Sequence, residues 1–206
     1  MITLHHLNQS RSKRIIWLLE ELGVEYQIKA YQRDPLTRLA PPELKAVHPL
    51  GKSPVVEVAD QILAESGAIT ETLIELFAAD TLAPPFGTKD YHEYRQWLHF
   101  AESSAMVPSL LTLFLSMEPS KTEFLSGYAA TELKKVMTFV DDSLEGKDYL
   151  VAGKLTGADI MMSFIPEILA SIGALADYPN ITRYYSKLQT LPHNQRASAL
   201  EAEHQA

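Results

Sequence analysis

The chain has no cysteine, and this absence excludes disulfides, thiolate metal sites, a cysteine nucleophile and mixed-disulfide exchange. Any thiol in its chemistry must come from a ligand. Metal-ligand spacing is missing too. The seven histidines include no HExxH pair, and His5 and His6 are neighbours on what reads as a strand, so they point to opposite faces. No metal site is expected. No run of about 18 apolar residues is present, and Met1 to Leu7 reads as a strand rather than as a charged-then-apolar leader. Neither a membrane span nor an export signal is therefore expected, and the expected compartment is the cytoplasm. Basic charge is scarce: 18 Lys and Arg stand against 26 Asp and Glu, a net charge of −8 with a pI near 5.3. That balance disfavours a nucleic-acid or anionic-membrane surface while leaving room for a local basic pocket, so partners should be small molecules or a second copy of the chain.

What is present is enough for a core. At 206 residues and 46% hydrophobic content the chain suits one large or two small domains. Ile2, Leu4 and His6 share one face of a first strand. Ile15, Ile16, Leu18, Leu19 and Leu22 then form the stripe of an amphipathic helix ended by Gly23, and Val24, Tyr26, Ile28 and Ala30 alternate as a second strand. This is a β-α-β unit with a right-handed crossover and parallel strands. The proline-rich stretch Pro35 to Pro49 holds at most a short helix near Pro42 to Val47. Asp80 to Thr88, DTLAPPFGT, breaks periodicity and reads as a linker. Beyond it the pattern is helical: Tyr91 to Met117 with Pro108 as a kink, Thr122 to Leu144, and two further helices. The expected division is therefore 1–79, linker 80–88 and a helical 89–206. Thr156-Gly157-Ala158-Asp159 before Ile160 reads as a capping box with Asp in place of Glu, a structural role.

The densest information lies from His48 to Thr70, HPLGKSPVVEVADQILAESGAIT. Val55 to Val58 and Ile62 to Ala64 are strand-like runs parted by Ala59-Asp60-Gln61, the pattern of a tight hairpin. A helix follows, carrying Ile69, Leu73, Ile74, Leu76 and Phe77, with Ser66 in the position of an N-cap. The start of that helix suits a carboxylate. Glu65 beside it would repel a plain phosphate yet accept an ammonium, so the pair suits the zwitterionic end of an α-amino acid. Ser53-Pro54 opens the preceding strand, and with a cis bond the Ser53 main chain would be free to pair with an extended peptide ligand.

These residues, in this order, resemble the soluble glutathione S-transferases. Lys52-Ser53-Pro54 matches that family's residues before its cis-proline, Glu65-Ser66 its γ-glutamyl-binding pair, LNQSRSKRIIWLLEELGVEY its first strand, catalytic loop and first helix, and LVAGKLTGADI the capping segment of its second domain. The resemblance covers nearly the whole chain and is to the serine-type, bacterial and fungal-like members. It implies an α/β plus all-α protein: an N-terminal thioredoxin-like domain of order βαβ-α-ββα and a C-terminal helical bundle. It further implies glutathione as co-substrate with no other cofactor, and a homodimer. Ser10 is then expected to donate a hydrogen bond to the glutathione sulfur, Ser12 to cap the first helix, and Arg11 either to add positive charge near the sulfur or to lie solvated. A free thiol titrates near about 8.5, and one charge-assisted hydrogen bond of about 1.5–3 kcal/mol brings it to about 6 to 7. Lys52 is expected at the glycyl carboxylate, with Arg38, Lys45 and His48 as further candidates. Trp97, Phe100, Ser103, Ser104 and Val107 are the expected walls of a pocket between domains for a small hydrophobic electrophile. The implied activity is conjugation of the thiolate to that electrophile. The alternatives are glutathione-dependent peroxide reduction and, from another class, a non-catalytic assembly module.

Overall fold

The computed structural model describes residues 1–120 and 122–204. They form two compact units, Met1–Ala79 joined by the chain from Thr190 onward, and Asp80–Gln189.

In the first unit the elements run β1 (Ile2–Leu7), α1 (Lys13–Leu22), β2 (Tyr26–Tyr31), α2 (Glu43–Val47), β3 (Val55–Val58), β4 (Gln61–Ala64) and α3 (Ser66–Phe77). This is the thioredoxin-like order. The sheet runs β2-β1-β3-β4, with β1 parallel to β2 and antiparallel to β3, and β3 antiparallel to β4. The β3–β4 hairpin turns on Ala59 and Asp60, both at positive φ, as a two-residue turn matched to strand twist requires. All six residues of β1 are buried because it is a central strand. Gly23, at φ +62°, ends α1 and donates its N–H to Glu20, a left-handed cap that glycine adopts without steric cost.

The last helix, α10 (Pro192–Glu203), was expected in the helical domain but packs along α1 in the first unit. Lys13 pairs with Glu201 at 3.8 Å and His193 with Glu21 at 3.0 Å. Flanking by α3 and α10 explains why α1 is buried over more than one stripe, Arg14 and Trp17 included, alongside Ile15, Ile16, Leu18 and Leu19. Each fully buried Leu or Ile contributes about 1.5–3 kcal/mol.

The second unit holds α4 (Lys89–Glu102), α5 (Met106–Met117), α6 (Glu123–Ser143), α7 (Gly157–Met162), α8 (Phe164–Ser171) and α9 (Pro179–Gln189). The segment read as a linker belongs here: Leu82 and Ala83 are buried, and Leu82 accepts the N–H of Gly157 at 2.9 Å. By length and mean hydropathy alone, Lys89–Met117 is long and apolar enough to cross a membrane. It is two helices, α4 and α5, broken by a turn at Ser103 to Ala105. Pro108 therefore lies in the first turn of a new helix, where its missing N–H costs nothing, rather than kinking one long helix.

At the start of α7, Asp159 is fully buried. It accepts from the N–H groups of Leu150 at 2.9 Å and Thr156 at 2.8 Å. It also accepts from the hydroxyls of Thr156 and Tyr184, both at 3.0 Å. The Thr156–Asp159 capping box is formed. Burial pushes the carboxyl up to about 6, and the four donors hold it from rising further.

Candidate functional site

The loop between β1 and α1 is fastened at both ends. Asn8 donates its N–H to Tyr31 at 3.1 Å, and its side-chain oxygen accepts the N–H of Arg33 at 2.9 Å. Gln9 is at φ +50° and its side-chain oxygen takes a donor from Arg38. Beyond it the chain brings Ser10 and Ser12 together beneath the surface, only 5% and 0% exposed.

The two hydroxyls lie 2.7 Å apart. The N–H of Ser12 donates to Ser10 Oγ at 3.2 Å, and Ser12 Oγ lies 2.7 Å from Nδ1 of His6. The expected division of labour is thus altered. Ser12 occupies the N-cap position of α1 with helical backbone angles, and its side chain makes no capping bond. A residue at φ −67°, ψ −18° has already turned its side chain away from the N–H groups that an extended N-cap would reach. Ser12 instead links Ser10 to a histidine on the strand below. His6 is fully buried and held neutral, its pKa lowered to about 4 by burial and then by the nearby His204.

Ser53 sits one strand over. The Ser53–Pro54 bond is cis, and the Ser53 hydroxyl accepts the N–H of Leu7 at 3.1 Å while donating to the carbonyl of His5 at 2.8 Å. Its side chain thus continues the pairing of β1 beyond the end of β3. Among the described residues the main-chain N–H and C=O of Ser53 make no hydrogen bond within the protein.

At the head of α3 the expectation shifts by one residue. Glu65, not Ser66, is the N-cap, at φ +71°, a region non-glycine residues occupy at a cost of about 1–3 kcal/mol and chiefly at functional sites. Glu65 is exposed, so water solvates its carboxylate and no partner within the protein is required. Ser66 is buried and takes a hydrogen bond from Arg14 Nη2 at 3.3 Å. Arg14 is itself 1% exposed, and it spans from α1 to the head of α3. The sequence reading missed this role. Its one signal is a guanidinium preceding Ile15 and Ile16 on the stripe that faces the core.

Basic groups gather around the same loop. Arg33 donates to the carbonyls of Asn8 at 3.1 Å and Arg38 at 2.9 Å, and its pKa is lowered first by burial and then by Arg38 and Arg11. Three guanidiniums near one loop create a positive region on an acidic protein. Lys52 is exposed. The Lys45 stem lies over Gly51, so close that a side-chain carbon there would stand 2.7 Å from Lys45 Cγ. His48 accepts the N–H of Leu50 at 3.5 Å.

In the second unit a cleft of about 520 Å³ opens among α4, α5 and α6, lined in part by Phe100, Ser103, Ser104 and Val107. Trp97 lies beneath that wall: 3% exposed, it meets Phe100 edge-on at 5.1 Å and stacks on Phe139 at 5.8 Å. Glu132 and Lys135, missed in the sequence, form an ion pair at 2.5 Å on the cleft's far side. Among the described residues no cluster of His, Asp and Glu could hold a metal.

Fold and site together define a two-unit, thioredoxin-type protein with a buried serine pair beside a cis-proline and an acidic strand-to-helix turn. The model for the glutathione S-transferase N-terminal domain matches residues 1–73, and that for the C-terminal domain matches 105–192. Over 207 aligned residues the chain is 34% identical to glutathione S-transferase 1 of Saccharomyces cerevisiae, covering 89% of this chain and 88% of that protein. It is 33% identical to glutathione S-transferase 3 of Schizosaccharomyces pombe, covering 93% and 84%. A glutathione S-transferase structure from Actinobacillus pleuropneumoniae superposes with a TM-score of 0.89 at 39% identity, covering 98% of this chain and 93% of that one. The chain belongs to the glutathione S-transferase family.

Proposed function

We propose that this protein is a cytoplasmic, homodimeric glutathione transferase of serine type. It binds glutathione on its first unit, stabilises the thiolate with Ser10 and conjugates it to a small hydrophobic electrophile. The observation that carries the reading is the Ser10 hydroxyl, held by Ser12 at 2.7 Å at the entry to α1 rather than left to rotate in solvent. The protein supplies proximity and a thiolate, with no covalent intermediate on its own side chains. The thiol proton passes to solvent.

Each end of the tripeptide then has a partner. The exposed Glu65 carboxylate takes the ligand's ammonium, and the Ser66 hydroxyl, steadied by Arg14, takes the adjoining carboxylate at the head of α3. The unpaired main chain of Ser53 takes the cysteinyl amide. Lys52, Arg38 and Lys45 compete for the glycyl carboxylate, and Arg38 is favoured because it is tied to the Ser10 loop through Gln9. Arg11 and Arg33 raise the local potential for an anionic ligand. The cleft among α4, α5 and α6 takes the electrophile. Its Glu132–Lys135 pair suits a molecule with one polar end.

A purely architectural role would leave the Ser53 main chain, the positive-φ Glu65 and the Ser10–Ser12 pair without purpose. Titration calorimetry with glutathione, beside a conjugation assay with a generic aromatic electrophile, tests the proposal. Micromolar-to-millimolar binding that Glu65→Gln weakens about tenfold or more is expected, together with turnover. Binding without turnover would leave a glutathione-binding module, and absence of both would end the reading.

A further inference from the structure

His6 lies fully buried beneath Ser12, out of reach of both glutathione and its electrophile. We infer that His6 is a positioning residue: its Nδ1–H, donating to Ser12, sets the direction of the Ser12–Ser10 hydroxyl pair so that the Ser10 proton is left for the bound thiolate. This deepens the proposed function and rests on Ser10 being the group that meets the sulfur.

The argument is one of counting donors. A neutral imidazole carries one N–H, and His6 has two ring nitrogens in different surroundings. Nδ1 lies 2.7 Å from Ser12 Oγ, whereas Nε2 is buried with no hydrogen-bond partner among the described residues. Placing the proton on Nε2 would bury an unpaired donor, and orphaned buried N–H groups are rarer than unused acceptor lone pairs. The proton therefore belongs on Nδ1, where it points at Ser12. Burial and His204 keep the ring from taking up a second one near neutrality.

The rest follows along the chain. Ser12 Oγ, accepting from His6, has one proton to give. Its possible acceptors are Ser10 Oγ at 2.7 Å and the Leu7 carbonyl at 3.4 Å, and the shorter contact takes it. Ser10 Oγ then accepts twice, from the Ser12 hydroxyl and from the Ser12 N–H at 3.2 Å. A hydroxyl has two acceptor sites and one donor, so both Ser10 lone pairs are occupied and only its O–H remains. That proton can be given to an anion. With the opposite tautomer both hydroxyl bonds would run the other way: Ser10 would donate to Ser12, Ser12 to His6, and the sulfur would face a lone pair that favours the neutral thiol. The imidazole is no base here and accepts no proton from the thiol. It decides which way the hydroxyls point.

Nitrogen-15 NMR of the histidine side chains in the intact protein reads the tautomer directly, and Nδ1–H at His6 is expected. Nε2–H would overturn the inference. The functional arm compares the thiolate absorbance of bound glutathione against pH in wild type, Ser10→Ala, His6→Phe and His6→Asn, with melts to confirm folding. His6→Phe fills the ring's space without a donor and should raise the thiol pKa by about half a unit to one unit, a three- to tenfold loss of thiolate on the acid side. Glutathione affinity should change less than about twofold. His6→Asn, whose amide can donate to Ser12, should recover most of the shift. An unmoved titration in His6→Phe, alongside a shifted one in Ser10→Ala, contradicts the role assigned to His6. If Ser10→Ala itself shifts nothing, it is the Ser10 reading that fails, and the NMR tautomer still decides the orientation. Should His6→Phe not fold, the tautomer in wild type and the His6→Asn titration settle the matter.

Discussion

Replacing Asp159 with alanine should cost the second unit about 3–5 kcal/mol. The carboxylate is fully buried and is the acceptor for four donors: two N–H groups, of Leu150 and Thr156, and two hydroxyls, of Thr156 and Tyr184. The hydroxyls can rotate toward other acceptors. The N–H groups cannot, and each buried donor left unpaired costs about 1–3 kcal/mol. Loss of the cap on α7 adds about 1 kcal/mol. Against these stands the relief of no longer burying a charge, which keeps the total in the range found for breaking a buried pair. For a chain of this size the melting temperature should fall by roughly 6–20 °C, at about 2–4 °C per kcal/mol. The pH dependence is a second signature. Because burial raises the carboxyl to about 6, above its ordinary value, its contribution is fully present below about 4 and is lost as pH rises through 6. Melts of wild type and Asp159→Ala from pH 4 to 8 should therefore show a gap that narrows up to about pH 6 and is constant above it. A gap that widens over that interval would show the four hydrogen bonds outweighing burial, and a gap under about 1 kcal/mol would refute the reasoning altogether.

Glu57 behaves in the opposite sense. Its hydrogen bond from His5 at 2.7 Å holds its pKa below the usual value, with Lys29 assisting. The stability it contributes is present above about 4.5 and lost as pH falls below that, so Glu57→Gln should flatten the acid limb of the melting curve between about pH 5 and 3. The effect should stay under about 1 kcal/mol, since the carboxylate is 42% exposed and screened. Arg14→Ala should destabilise by about 2 kcal/mol or more, because it empties a buried site and removes the donor to Ser66; denaturant melts check this, and calorimetry should show weaker glutathione binding. Val107→Trp should narrow the cleft and raise KM for bulky electrophiles several-fold with glutathione affinity unchanged; equal KM values for large and small electrophiles would remove the cleft from consideration.

How much of this was legible beforehand depended on whether the cause was local. Strand alternation, the Ala59–Asp60 turn, the Gly23 stop and the Thr156–Asp159 box are decided within a few residues, and each was readable. The helix α10 was not, because its length and polarity say nothing about which surface it covers, and only the structure shows Ala197 and Glu201 against α1. The sequence points to both Ser10 and Ser12, but their roles depend on backbone angles at Ser12 and on a histidine that the strand places underneath. An N-cap position filled by serine is ordinarily a cap; here helical angles turn the hydroxyl to His6 instead. Glu65 and Ser66 were recognised as a pair, one residue out of register with the helix start. Arg14 was invisible as a site residue because burying a guanidinium needs partners from α3, which no spacing within α1 reveals.

The central claim is that Ser10 activates a bound thiol, and the pH dependence of conjugation tests it most directly. The rate, measured with saturating glutathione and limiting electrophile from pH 5 to 9, should rise with an apparent pKa of about 6 to 7 in wild type. In Ser10→Ala it should move up by about one unit or more, with the plateau rate approached at high pH and glutathione affinity little changed. Superimposable profiles for the two proteins would contradict the account.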